Sequence, residues 1–100
     1  MEIKKNLEGE KLTIILEGRL DTVTAPNLEA ELKESLNGVK ELIFDFDKLD
    51  YVSSAGLRVL LTSQKTMQKQ GSMKIINVCN EVNEVFEITA FNKILTIEKK

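Results

Sequence analysis

One hundred residues, 42% hydrophobic and 30% charged, suffice for one globular domain with its own core and are too few for two. Sixteen acidic against fourteen basic side chains leave a net charge of −2, with lysines scattered from Lys4 to Lys100, so nucleic acid is not an expected partner. The longest apolar stretches, such as Leu42-Ile-Phe44, fall far short of the roughly 20 residues that cross a bilayer. The start, Met1-Glu-Ile-Lys-Lys5, lacks the apolar core of a secretory signal, so a cytoplasmic chain without membrane insertion is expected.

Taken in chain order, Ile3, Lys5 and Leu7 alternate with polar residues before Glu8-Gly-Glu10, and Leu12 to Leu16 resumes as a strand. The chain is therefore expected to open with an antiparallel hairpin turning at Gly9. Gly18-Arg-Leu-Asp21 ends the second strand, after which Thr22 or Thr24 supplies a helix cap and Pro26 fits the first turn. Leu28, Leu32 and Leu36 form a buried stripe, and Asn37-Gly38 closes that helix. Leu42-Ile-Phe-Asp-Phe46 has the content of a buried strand.

From Ser54 to Gln70 the apolar positions Leu57, Leu60, Leu61 and Met67 fall at helical spacing, and Gly71 stops the helix. Met73 to Val78 reads as a strand, Asn80 as a cap, and Val82, Val85 and Phe86 as the buried face of a third helix. Ile94-Leu-Thr-Ile97 is the expected last strand. The alternation predicts a single α/β domain over residues 1–100, with a mixed, mostly parallel sheet, an N-terminal antiparallel hairpin and helices mainly on one face.

Chemistry is constrained by what is missing. The chain has no histidine, which removes the commonest general base and metal ligand, and its one cysteine, Cys79, excludes an internal disulfide. Ser53 and Ser54 have no recognisable base, and Val52-Ser-Ser-Ala-Gly56 lacks the first glycine of a hydrolase elbow, so catalysis there is not expected. Asp45, Asp47 and Asp50 resemble a set of oxygen ligands. Alternation, however, puts Asp45 and Asp47 on one strand face and Phe44 and Phe46 on the other, the pattern of a half-exposed strand. No cofactor is called for. What remains is a serine pair at a strand-to-helix junction, which on residues alone is a helix cap with an exposed hydroxyl.

Tyr51-Val-Ser-Ser-Ala-Gly-Leu-Arg-Val-Leu-Leu61 resembles the phosphorylation loop and following helix of the anti-sigma factor antagonists, whose STAS domain is shared with sulfate transporters. Gly18-Arg-Leu-Asp21 with Ala25, and Val85 to Leu95, resemble the family's other segments, so the likeness runs nearly end to end. It implies a STAS fold and a phosphoacceptor two residues before the motif glycine, at Ser54. Many members carry aspartate immediately before that serine; here Ser53 stands in its place and is a competing acceptor.

The implied role is partner switching. Such a protein binds an anti-sigma factor with serine kinase activity, is released when that kinase phosphorylates it, and is reset by a serine phosphatase. It is a substrate, not an enzyme. Asp21, Thr22, Ser53 and Arg58 are the candidate partner-binding residues around Ser54, and Arg58 either approaches the phosphate or points to solvent. The alternative is a STAS scaffold, or a subunit of a transport or signalling complex, that works without phosphorylation.

Overall fold

The structure, a computed structural model, describes residues 1–100. Strands β1 (Glu2–Glu8) and β2 (Lys11–Leu20) pair antiparallel around Gly9, whose φ of 62° is a left-handed conformation that glycine adopts without steric cost. The chain continues through α1 (Ala25–Ser35), β3 (Glu41–Val52), α2 (Ser54–Gln70), β4 (Ser72–Val78), α3 (Asn80–Ile88), a 3₁₀ turn at Phe91–Lys93, and β5 (Ile97–Lys99). The sheet order is β1-β2-β3-β4-β5, and every pair after the hairpin is parallel.

This order explains the one-sided architecture. Each crossover steps one strand in the same direction, and right-handed connections taken repeatedly in one direction put every helix on the same face. Burial agrees. Leu12, Ile14, Leu16, Leu42, Phe44, Phe46, Met73 and Ile75 join one 24-residue core cluster with Leu28 and Leu32 of α1, Leu57, Leu60 and Met67 of α2, and Val82 and Phe86 of α3. The Phe44 and Phe46 rings tilt at 60° with centroids 6.1 Å apart, a favourable aromatic geometry within that core. The opposite face carries Ile15, Ile43 and Ile76 among Thr13, Glu17, Asp45 and Lys74 and has no helix over it.

The boundaries of α2 agree with the sequence spacing, and the Leu28, Leu32 and Leu36 stripe is buried. Leu61 and Val85, expected to be buried, are only half-buried because they sit at the margins of their helices' inward faces. The last strand lies three residues later than expected. After α3 the chain turns through Ala90 (φ 62°) and the 3₁₀ segment, so Ile94 closes that turn and Leu95 plugs the core before pairing begins. Cys79, not Asn80, occupies the cap position of α3 and makes no side-chain capping bond.

The strand carboxylates have local partners. Asp45 Oδ1 accepts from the Asp47 N–H at 3.0 Å and from Asn77 Nδ2 at 3.0 Å, which supports Asn77 in its left-handed bulge (φ 58°). Asp47 pairs with Lys100 at 3.4 Å. Register shifts between Ile15 and Glu17 and between Gly18 and Arg19 twist the carboxyl ends of β2 and β3, where the loops to α1 and α2 attach.

Gly71 is extended, with φ 179°, so its glycine is needed for space rather than for its dihedral angles. A Cβ there would collide with the Lys40 backbone carbonyl, which accepts from the Ser72 N–H and so joins β3 to β4. Gly71→Ala is expected to destabilise the fold by about 1–3 kcal/mol, read as a lower urea midpoint with an unchanged slope; a midpoint equal to wild type would refute this packing account.

Candidate functional site

The site lies where β2 and β3 end. The Ser53 N–H donates to the Leu20 carbonyl at 2.8 Å, joining the two strand ends, and the Ser53 hydroxyl accepts from the Gly56 N–H at 3.3 Å as the cap of α2. The helix then begins at Ser54. Residues two apart on a helix are turned by about 200°, so with Gly56 packed inward, Ser54 is carried outward and is exposed.

Gly56 is buried because the first turn of α2 presses on the end of β2. A Cβ at Gly56 would stand 2.7 Å from Leu20 Cγ and 3.0 Å from the Leu20 carbonyl oxygen. The glycine therefore allows close approach and needs no phosphate to account for it.

The neighbouring β2–α1 loop is held by Asp21. Its Oδ1 accepts from the N–H groups of Val23 and Thr24, both at 3.0 Å, in an Asx-type turn. Thr24 holds the cap position of α1, but its hydroxyl turns back to accept from the Asp21 N–H at 2.8 Å and lies 2.8 Å from the Arg19 carbonyl. The Thr24 N–H is the largest influence holding the Asp21 carboxyl below its usual range; burial pushes the other way, and the Thr24 hydroxyl, the Val23 N–H and Arg19 reinforce the lowering.

Arg19 has two contacts that the sequence did not reveal. Its guanidinium carbon lies 4.2 Å from the centroid of the Tyr51 ring, and its Nε is 3.8 Å from Asp21 Oδ2. The register places Arg19 beside Tyr51, so this stack joins the ends of β2 and β3 on the side away from the helices. A signal was present in Gly18-Arg-Leu-Asp21, but the pairing with Tyr51 depends on strand register. Val23, 80% exposed at the tip of the loop, also escaped sequence reasoning.

The predicted site residues thus converge unevenly. Asp21 and Ser53 are tied into adjacent strand ends, and Ser54 follows on the exposed start of α2. Thr22 and Arg58 line one recess of about 320 Å³ between the amino ends of α1 and α2, with Pro26, Glu29 and Ala55. A second recess of about 390 Å³ continues down the same groove over Leu32, Leu36 and Val59. Its hydroxyls are occupied: Thr62, Ser63 and Thr66 donate to the carbonyls of Arg58, Val59 and Thr62. Such a groove offers surface more than reactive groups.

Because the Asp21 pKa is lowered on folding, its stabilising contribution is complete above the unfolded-state pKa near 3.8 and is lost as pH falls through the lower folded value. Carbon-detected titration should give an Asp21 midpoint below 3.8, and Asp21→Asn should flatten the acid limb of the stability profile. A midpoint at or above the ordinary value would contradict the loop geometry.

Against known proteins, the chain matches the STAS domain family over residues 2–100. It is 39% identical over 88 residues to "Putative anti-sigma factor antagonist BtrV" of Bordetella bronchiseptica, covering 86% of this chain and 76% of that protein. It is 28% identical over 101 residues to the anti-sigma-B factor antagonist of Bacillus subtilis, covering 100% of this chain and 91% of that one. Among solved structures it superimposes on the anti-sigma factor antagonist SpoIIAA in its unphosphorylated form with a TM-score of 0.84, at 19% identity, over 96% of this chain and 87% of that chain. The Bacillus SpoIIAA has also been solved in a phosphorylated form, with a TM-score of 0.75 at 18% identity over 96% of this chain and 90% of that chain. End-to-end agreement in sequence and fold identifies the chain as a member of the anti-sigma factor antagonist family of STAS domains.

Proposed function

We propose that this chain is a partner switch that binds an anti-sigma factor with serine kinase activity and is turned off by phosphorylation of Ser54. The observation that carries the reading is the contrast within the serine pair. Ser53 gives its hydroxyl to the helix cap and its N–H to β2, whereas Ser54 stands exposed at the first position of α2. The family membership and the phosphorylated state of a structural relative support the same assignment.

In the proposed reaction the Ser54 hydroxyl oxygen attacks the γ-phosphorus of ATP on the kinase. The bond to the β-phosphate oxygen breaks, ADP leaves, and the serine proton passes to a base on the kinase. This chain supplies the nucleophilic oxygen and no other reacting group, so it acts as substrate. Hydrolysis of the phosphate ester by a separate serine phosphatase restores the binding form. The cycle belongs in the cytoplasm, where ATP and sigma factors meet.

The electrostatics favour a switch without unfolding. The phosphate brings about −1.5 to −2 charges, and the start of a helix offers free N–H groups and the positive end of its dipole. The first turn of α2 contains no acidic residue to oppose it. At a closed interface the same charge is desolvated, at a cost of several kcal/mol when unpaired. Because about 1.4 kcal/mol is tenfold in affinity, roughly 3 kcal/mol abolishes more than 99% of binding strength.

Ser54→Asp is expected to weaken binding to the cognate anti-sigma factor by about a hundredfold, while Ser54→Ala binds normally and resists phosphorylation. Ser53→Ala should lose about 1 kcal/mol of stability yet still be modified at residue 54. Calorimetry and site-resolved mass spectrometry read these outcomes. Equal binding by the Ser54→Asp protein, or phosphate found on Ser53, would overturn the reading.

A further inference from the structure

Arg58 has no partner that explains its position. It is exposed and takes part in none of the ion pairs of the structure, although Glu29 lines the same recess. The other arginine, Arg19, lies over Tyr51 and beside Asp21. Arg58 is therefore the arginine on this end of the molecule without a fixed contact.

Its spacing supplies one. Arg58 follows Ser54 by four residues within the continuous helix α2, and side chains at that spacing are surface neighbours whose Cβ atoms are about 5–6 Å apart. An anion placed N-terminal to a cation is also the favourable order along a helix. A guanidinium can direct two parallel N–H groups at a phosphate, a geometry that a lysine cannot reproduce.

We propose that Arg58 is a positioning residue that clamps the phosphate of phospho-Ser54 within its own helix. The inference rests on Ser54 being the phosphoacceptor and adds what the chain does with the charge afterwards. On modification the guanidinium swings from the recess shared with Thr22, Pro26 and Ala55 toward the phosphate. The modified surface thus gains a dianion and loses an exposed cation from the recess in one step, with no change of backbone.

The other charged groups near this end are already engaged or set apart. The Asp21 carboxylate is turned onto the Val23 and Thr24 N–H groups and faces Arg19. Glu29 on α1 lines the same recess but lies 3.9 Å from Lys33 Nζ, Asp50 is exposed near the end of β3, and Lys48 pairs with Glu17 at 3.6 Å. Helix N–H groups act on the phosphate equally with or without Arg58, so a comparison between variants isolates the guanidinium.

The test uses the full chain with phosphoserine genetically encoded at position 54, so it needs neither the kinase nor the anti-sigma factor. Phosphorus NMR titration measures the second phosphate ionisation, ordinarily near pH 6. Arg58→Gln is expected to raise that midpoint by roughly 0.15–0.4 relative to the Arg58 protein, with Arg58→Lys intermediate and Lys65→Gln unchanged. The Arg58 Nε–H signal should shift with the same midpoint. Equal midpoints for the Arg58 and Arg58→Gln proteins, with matching amide spectra confirming the fold, would overturn the clamp. That result would leave the binding experiments on Ser54 untouched, while loss of the switch in those experiments would leave the clamp measurable.

Discussion

The contact between Gly56 and Leu20 sets the position of the whole candidate site. Leu20 closes β2, is fully buried, and accepts the Ser53 N–H through its carbonyl, while its side chain occupies the space that a Cβ on residue 56 would need. Through this single residue the first turn of α2 is held against the sheet by a hydrogen bond and by packing at once. The consequence is local but decisive: with residue 56 inward, residue 54 points outward, and the cap between them consumes the hydroxyl of residue 53. A residue that tethers helix to strand thereby separates a structural serine from an available one.

The sheet order has a second consequence. Many parallel sheets reverse their strand order and open a crevice at the reversal, where ligands bind. Here the order runs from β1 to β5 without reversal. The proposed function accordingly uses the surface formed by the β2–α1 and β3–α2 loops and the groove between α1 and α2. That surface suits a protein partner, with Val23 and Tyr51 exposed and Asp21 and Ser53 stiffening the backbone beneath them. The proposed switch then needs only one available hydroxyl and a place for its charge.

Much of this was legible in the sequence because it depends on local periodicity. The Leu28, Leu32 and Leu36 stripe, the limits of α2 and the hairpin at Gly9 all repeat at spacings that report which face is buried. The end of the chain was less legible: Ile94 to Ile97 has strand composition, yet a left-handed Ala90 and the plug at Leu95 delay pairing until Ile97. Capping was only partly legible for a related reason. Thr24 does hold the cap position of α1, although Asp21 takes over the loop N–H groups beside it, whereas Cys79 and not Asn80 holds that of α3. At the site, Ser54 was marked by its motif, whereas the reason for Gly56 lies in Leu20 and the partner of Arg19 is Tyr51. Both pairs are brought together only by the sheet.

The central claim is that charge at Ser54 acts at an interface and leaves the fold intact. The most direct measurement compares unmodified and stoichiometrically Ser54-phosphorylated chains for affinity toward the same anti-sigma factor, with hydrogen exchange of α2 followed in the free proteins. The account predicts at least a hundredfold loss of affinity, about 3 kcal/mol, with undiminished protection of α2. Equal affinities, or an affinity loss accompanied by opening of α2, would contradict it.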